Sequence, residues 1–386
     1  METSFTLGFS YARSVVDGTH HRPTAPRLQV AFEQLPQVTV IDVSPYLPPL
    51  VDRIMHQVYR TRVRGETQSV WGRSRLKAYL LERLIHKRSQ GVPLDATIQL
   101  HGFFQPPQPY FVYTDLSYAM VRHFFRELGD PAIFPGVTDT ILAHQIERQQ
   151  HYFENAQHIF AMSAWLAHHL QSLHGIPARQ ISVVPPGTNS EHSPRDSGRT
   201  PPQSEQTARV PKLLFVGGDF YRKGGDLVIR AFQHCRQELP GVQLTIVGPH
   251  AWPLAGAPPE GVIFRGWQRT DQVQQLMQTH DVLVMPSRFE AFGIVFVEAL
   301  ASGIPVIARK ACAMPEIVTP ALNGELIHSD DPRELADAII TVVRDPQYRA
   351  NVERARQSTA AYYSWDRAAR QMLQTMIATI PQHRRV

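Results

Sequence analysis

The stretch that decides the fold is His280–Pro305, HDVLVMPSRFEAFGIVFVEALASGIP. Asp281–Pro286 is a short apolar run, the pattern of a buried parallel strand. A polar loop follows, Ser287–Arg288–Phe289–Glu290. Ala291–Phe292–Gly293 then opens a helix over Ile294–Ala301, which Ser302–Gly303–Ile304–Pro305 stops. A strand, a loop and a glycine-led helix make an anion site, because the free N–H groups and the positive end of the helix dipole point at whatever lies beyond the strand. Two carboxylates bracket that site, Glu290 before the helix and Glu298 inside it, with seven residues between them. Carboxylates do not bind phosphate. They accept hydrogen bonds from hydroxyls, so a ligand with both groups, a nucleotide or a sugar phosphate, fits the pattern.

Working outward, strands alternate with helices on both sides of this stretch. In the first half, strands are predicted at Phe5–Phe9, Val38–Val43, Asp95–Phe104, Tyr110–Thr114, His158–Met162 and Gln180–Val184. Helices are predicted at Pro26–Leu35, Leu76–Gln90, Ile141–Asn155 and Ala164–His174. The second half restarts the alternation. Strands fall at Lys212–Val216, Gln243–Val247, Val262–Phe264 and Val306–Ala308, with helices at Asp226–Leu239, Gln272–Thr279 and Pro332–Val343 and a final helical region. Met314–Val318 and Asn323–Gly324 read as turns. Ser190–Arg209, polar with three prolines, reads as a linker. The expected fold is α/β: two Rossmann-like, doubly wound parallel-sheet domains facing across a cleft. The boundaries are 1–189, a linker at 190–210, and 211–365, with a C-terminal helix near 366–386 packing back on the first domain.

Composition agrees with a two-domain soluble protein. The chain has 386 residues, 43% hydrophobic and 19% charged. Two separated cysteines, Cys235 and Cys312, suit a reducing compartment. The first residues, METSFTLGFSYARS, lack the pattern of a signal peptide, and no apolar run reaches the length of a membrane helix. A cytoplasmic location is therefore expected. The net charge of +5 is uneven. Val51–Gln90 holds Arg53, Arg60, Arg62, Arg64, Arg73, Arg75, Lys77, Arg83, Lys87 and Arg88 against Asp52, Glu66 and Glu82. This run reads either as a solvated helical face or as a patch for anionic headgroups or a lipid-linked acceptor on the inner face of the membrane. Nothing in it suggests nucleic acid.

A second candidate loop is Gly217–Gly218–Asp219–Phe220–Tyr221–Arg222–Lys223–Gly224–Gly225, between a strand and a helix. Glycines admit a ligand close to the backbone, and Arg222 and Lys223 offer adjacent cations. Such cations stabilise a diphosphate as it leaves. On its own the loop reads equally as a plain strand–helix turn.

Glu290, seven residues, Glu298 and then Gly303–Ile304–Pro305–Val306 resembles the donor-site signature of glycosyltransferase family 4, retaining enzymes of the GT-B fold. The likeness is strong over 212–373, fair over 141–189 and thin before that. It implies a transferase that moves a sugar from a nucleoside diphosphate to a hydroxyl of a glycan or lipid-linked acceptor, without a metal or other cofactor. It implies that Lys223 meets phosphate, that Glu290 lies near the donor sugar, that Glu298 accepts from ribose hydroxyls, and that Gly293 and Ile294 lend N–H groups to the distal phosphate. Phe264–Arg265–Gly266–Trp267 resembles the segment beside the base; it also reads as a strand end with a packing tryptophan. Met314–Pro315–Glu316–Ile317–Val318 and Asn323–Gly324 match the later pattern, whereas Ala311–Cys312–Ala313 stands where glycines are common. Gly217–Gly218 replaces the usual Gly-Arg, so Arg222 is expected to supply the absent guanidinium. The family's Gly-Gly loop is missing; Gly18–Thr19 stands nearest, beside His20, His21 and Arg22. Thr114–Asp115 stands where many members carry His-Asp, whose histidine touches the donor sugar and the reacting region, so Asp115 or His101 is expected to take over there; His101, Thr114 and Asp115 are also expected to meet the acceptor. The rival readings are a phosphorylase or sugar-nucleotide epimerase of the same fold, and a binding or regulatory protein that has lost catalysis.

Overall fold

The computed structural model describes residues 5–11, 24–63, 66–101, 104–129, 138–189 and 210–380. The Gly18–Arg22 loop, Gly102–Phe103 and linker residues 190–209 lie outside the described residues. The chain divides into two compact units. One is Met1–Gly187 with Ser364–Val386, and the other is Thr188–Tyr363.

The first unit runs β1 (Phe5–Tyr11), α1 (Thr24–Glu33), β2 (Val38–Asp42), α2 (Pro49–Val58), β3 (Arg60–Val63), β4 (Glu66–Ser69), α3 (Arg75–Ser89), β5 (Ala96–Leu100), β6 (Tyr110–Thr114), α4 (Tyr118–Leu128), α5 (Asp139–Glu154), β7 (His158–Ala161), α6 (Ala164–His174) and β8 (Ile181–Val183). Six strands form a parallel sheet in the order β2-β1-β5-β6-β7-β8. β5, β6 and β7 are buried along their whole length, as strands covered on both faces must be. Ser117, Thr138 and Ser163 cap α4, α5 and α6 by accepting from backbone N–H groups. The core is cross-linked by polar contacts. Tyr110 donates to the Tyr152 carbonyl at 2.6 Å, and Tyr152 donates to Gln99 Oε1 at 2.8 Å.

The basic run is not one helical face. It folds as α2, the antiparallel β3–β4 hairpin, a 3-10 turn at Trp71–Arg73 and α3. Lys77 is not solvated either: it is buried and ion-paired with buried Asp52 at 2.9 Å.

The second unit runs β9 (Lys212–Val216), α7 (Gly225–Glu238), β10 (Gln243–Val247), β11 (Val262–Gly266), α8 (Thr270–Thr279), β12 (Val282–Val284), α9 (Ile294–Ala301), β13 (Val306–Arg309), α10 (Met314–Ile317), β14 (Gly324–Ile327), α11 (Pro332–Arg344) and α12 (Pro346–Tyr362). Its sheet is again six parallel strands, ordered β11-β10-β9-β12-β13-β14. Leu213, Leu214 and Val282–Val284 are fully buried, each such side chain contributing about 1.5–3 kcal/mol of burial. Two expected turns are more regular than read: Met314–Ile317 is a short helix, and Gly324 starts an edge strand. The chain ends in α13 (Trp365–Thr379), which packs in the first unit, where Gln371 donates to the Val183 carbonyl at 3.2 Å and Gln157 to the Thr379 carbonyl at 2.9 Å.

The order of the second sheet matters for function. Strands build outward in one direction from β9 through β10 and β11, and in the other from β12. The reversal lies between β9 and β12, and ligands of such sheets sit beyond the carboxyl ends at that reversal. The loops after these two strands are Gly217–Gly224 and Met285–Gly293.

Candidate functional site

At the reversal, Lys223 and Glu290 meet. Lys223 Nζ forms a direct ion pair with Glu290 Oε2, and both side chains are largely withdrawn from water. Burial lowers the Lys223 pKa, opposed by the Glu290 charge and reinforced by the neighbouring Arg222 cation. Lys223 packs on the glycine turn, where a Cβ at Gly217 would lie 2.8 Å from its Cγ.

Gly293 stands directly beside this pair. It caps α9 with φ 94° and ψ 56°, a left-handed conformation that glycine adopts without strain. A Cβ there would lie 2.4 Å from Phe296 Cδ2 and 3.2 Å from Glu290 Cγ. The first turn of α9 therefore opens where the carboxylate and the ammonium meet, with its leading N–H groups on that side. On α9, Phe296, Val297, Ala299 and Leu300 are buried, while Ile294 and Glu298 share the half-buried face one turn apart. Glu298 Oε1 accepts from the Asn189 backbone N–H at 3.1 Å.

Arg222 reaches the same place with its guanidinium already engaged. Nε donates to Asp219 at 2.7 Å, Nη1 donates to the Phe289 carbonyl at 2.9 Å, and Nη1 lies 3.9 Å from Glu290 Oε2. Gly218, at the position where the resembled family usually carries arginine, has space around it: a Cβ there would meet nothing nearer than the Gly248 carbonyl oxygen at 3.7 Å. Gly248 in turn donates to the Gly266 carbonyl at 2.9 Å, so the ends of β9, β10 and β11 line up beside the cations. Trp267 follows Gly266 and is 41% exposed.

Sequence reasoning missed the brace that holds the β12 loop. Arg288 donates to both carboxylate oxygens of Asp226, at 2.7 and 2.9 Å, and from Nε to Asp330 at 2.8 Å. Hydrogen bonding to Asp226 raises the Arg288 pKa despite burial. Burial alone would raise Asp330, but the hydrogen bond from Arg288 and the charges of Arg309 and Arg288 outweigh it and hold the carboxyl below its usual range. These four residues are far apart in sequence, so no local signal could have joined them. Cys312 was also given no role. It adopts a left-handed φ of 54°, which accounts for the glycine habit at this position, and burial pushes its thiol up to about 12 against a hydrogen bond with the Glu290 backbone. Ser287 is fully buried, and its hydroxyl has no hydrogen-bond partner among the described residues.

The first unit gathers the other candidates. His101 Nδ1 lies 3.1 Å from Asp115 Oδ1, both side chains being about a third exposed. Thr114 is buried and turned to the backbone: its hydroxyl donates to the Leu116 carbonyl at 2.9 Å and accepts from the Leu116 N–H at 3.3 Å. Among the described residues no group of three or more His, Cys, Asp or Glu side chains is placed to hold a metal ion.

Residues 198–359 match the family model of Glycosyl transferases group 1. A D-inositol 3-phosphate glycosyltransferase of Streptomyces avermitilis is 28% identical over 292 residues, 70% of this chain and 62% of that protein. An uncharacterised glycosyltransferase of Methanocaldococcus jannaschii is 31% identical over 169 residues, 41% of this chain and 43% of that one. The chain spans between 50% and 66% of the length of the first of the curated relatives it matches. Among solved structures, sucrose-phosphate synthase of Thermosynechococcus elongatus aligns with a TM-score of 0.67 at 17% identity, covering 96% of this chain and 98% of that one. HepE of Anabaena, in complex with UDP and glucose, aligns with a TM-score of 0.62 at 19% identity, covering 96% and 99%. At these identities the structures speak for the fold, which is GT-B.

Proposed function

We propose that this chain, a glycosyltransferase of the group 1 type, transfers a sugar with retention from a nucleoside diphosphate to a hydroxyl of a glycan or lipid-linked acceptor. The observation that carries the reading is the meeting of Lys223, Glu290 and Gly293 at the reversal of the second sheet. A buried cation and a helix N-terminus there suit a pyrophosphate, and the carboxylate beside them suits the sugar hydroxyls.

In this reading the bond between the anomeric carbon and the diphosphate oxygen breaks as the acceptor oxygen bonds to the same face. The acceptor proton passes to the departing phosphate. Lys223 and Arg222 stabilise the charge that develops on the leaving group, so no metal is assigned to that task. Gly293 and Ile294 orient the distal phosphate, and Glu298 accepts from the ribose hydroxyls. Gly266 and Trp267 lie beside the base, with Gly217 and Gly218 under the phosphates. The first unit is assigned the acceptor, through His101, Thr114 and Asp115.

One observation favours a second reading, binding without turnover. Arg222 already gives its Nε donor to Asp219 and one Nη1 donor to the Phe289 carbonyl, while Gly218 offers no side chain. Calorimetry with UDP and GDP, followed by donor hydrolysis over a panel of nucleotide sugars with and without EDTA, separates the two. UDP comes first because HepE is described with it, and inositol 3-phosphate joins the acceptor panel because a relative is named for it. Sugar release with a nucleoside diphosphate as co-product, unaffected by EDTA, supports transfer. Binding with no turnover on any donor and acceptor supports the second reading.

A further inference from the structure

Helix α2 is turned inside out. It buries its polar residues, Asp52 and His56, and exposes its apolar ones: Leu50 is 68% exposed, Ile54 51% and Val58 67%. These three are spaced four apart and form one stripe, with exposed Val51 beside it. The orientation is fixed from below. Asp52 Oδ1 accepts from the Trp71 indole at 2.7 Å and from Lys77 at 2.9 Å, all three side chains being buried. A helix in water ordinarily does the opposite, and a grouped apolar stripe of this kind marks a contact surface.

What surrounds the stripe narrows the partner. Arg53, Arg60, Arg83, His86, Lys87 and Arg88 are exposed on the same segment. Exposed Tyr79 and Tyr46 carry guanidinium groups over their rings, Arg83 at 5.8 Å and Arg88 at 5.3 Å. Just before α2, Leu47 and Pro48 join Leu80 and Leu84 of α3 in walling a groove of about 880 Å³, with Arg83 and Lys87 at its margin. Apolar residues, tyrosines and cations gathered on one segment are the make-up of a surface lying in a bilayer interface. A protein partner would not need the cationic surround.

We propose that this face of the first unit is a peripheral anchor for a membrane carrying anionic lipid, with Leu50, Ile54 and Val58 entering the headgroup boundary and Arg53, Arg83, Lys87 and Arg88 meeting lipid phosphates. No helix among the described residues is long and apolar enough to cross a membrane, so the contact is on one leaflet. It does not rest on the donor chemistry assigned to the second unit.

The experiment is flotation of the full chain with phosphatidylcholine vesicles, with and without phosphatidylglycerol, together with UDP calorimetry on the same samples. The wild type should float only with phosphatidylglycerol, and less so as salt rises. Leu50→Glu/Ile54→Glu should weaken flotation at least about tenfold, with an unchanged melting curve and unchanged nucleotide binding. Arg83→Gln/Lys87→Gln should weaken it about fivefold per cation removed, and it provides the reading if the first variant folds poorly. Equal flotation with pure phosphatidylcholine overturns the proposal, and so does flotation of both variants like wild type. A wild-type dimer that Leu50→Glu/Ile54→Glu makes monomeric, with no vesicle binding by either, also overturns it. Loss of UDP binding in the wild type would count against the donor reading alone.

Discussion

His101 and Asp115 face each other at 3.1 Å from the carboxyl ends of β5 and β6, which are neighbours in the first sheet. The approach involves a conformational cost, since His101 holds a left-handed φ of 47° and is tied there by its N–H to the Tyr113 carbonyl at 3.1 Å. Strain of this kind gathers at functional sites. Asp115→Asn keeps the shape and removes the charge that orients the imidazole. Turnover at saturating substrates should fall about 100-fold, while calorimetry shows nucleoside diphosphate binding unchanged. His101→Gln should match it, and the double variant should be no worse than the poorer single one, because the two act as a unit. Full turnover in Asp115→Asn would remove the residue from the mechanism.

Lys223 and Glu290 are coupled, so each variant acts on the other's charge. Lys223→Met leaves a buried carboxylate without its ammonium, at a cost of about 3 kcal/mol in stability, and takes the main cation from the proposed phosphate site. Nucleoside diphosphate affinity should drop more than about tenfold. Glu290→Gln works in the other direction. Burial already lowers the Lys223 pKa and the glutamate opposes this. Without that charge the lysine gives up its proton at lower pH. The alkaline limit of nucleoside diphosphate binding should therefore move down, as read by calorimetry across pH.

Both loops of the candidate site could be read from local pattern, because each needs its glycines and apolar runs close together in sequence. Gly217–Lys223 and Glu290–Gly293 carry their own instructions. The parallel strands were legible for the same reason: burial on both faces leaves near-continuous apolar runs such as Leu213–Val216. What escaped was decided by distant partners. Asp52 and Lys77 looked like solvated charges of a basic run until Trp71 folded over them. The brace among Arg288, Asp226, Arg309 and Asp330 joins four segments. The edge strand Gly324–Ile327 is short and follows a turn signal, so the turn masked it.

Gly218 offers a gain-of-function test. An arginine there has room to leave the backbone, with only the Gly248 carbonyl at contact distance. It would restore the guanidinium usual in the family the chain resembles, without displacing Arg222 from Asp219. Gly218→Arg should leave the melting temperature within a degree or two, since surface substitutions outside special positions change little. It should tighten nucleoside diphosphate binding about tenfold through one charge-assisted contact. Unchanged or weaker binding in calorimetry would mean that the phosphates lie elsewhere than beside β9.

The acid stability of the chain should show a histidine step before any carboxylate one. His174 is buried at the end of α6, with Nδ1 2.7 Å from Gln150 Oε1 and its ring edge-on to Phe153. Nε2 has no hydrogen-bond partner among the described residues, so a second proton would be buried without one. Burial pulls the pKa from 6.5 down to about 4. The folded chain therefore refuses a proton that the unfolded chain accepts below pH 6.5. Stability is complete above that pH, declines as pH falls, and levels near pH 4, the gap being worth roughly 3 kcal/mol. His158, lowered by burial as well, adds in the same direction. The paired carboxylates Asp139 and Glu334 are held down at about 2, so their contribution is lost only below their unfolded values near 4. Urea unfolding between pH 7 and 4.5 thus isolates the histidines, and His174→Gln should flatten most of that slope. A midpoint that stays level across this window in the wild type would mean that His174 is protonated, and stabilised, in the folded chain.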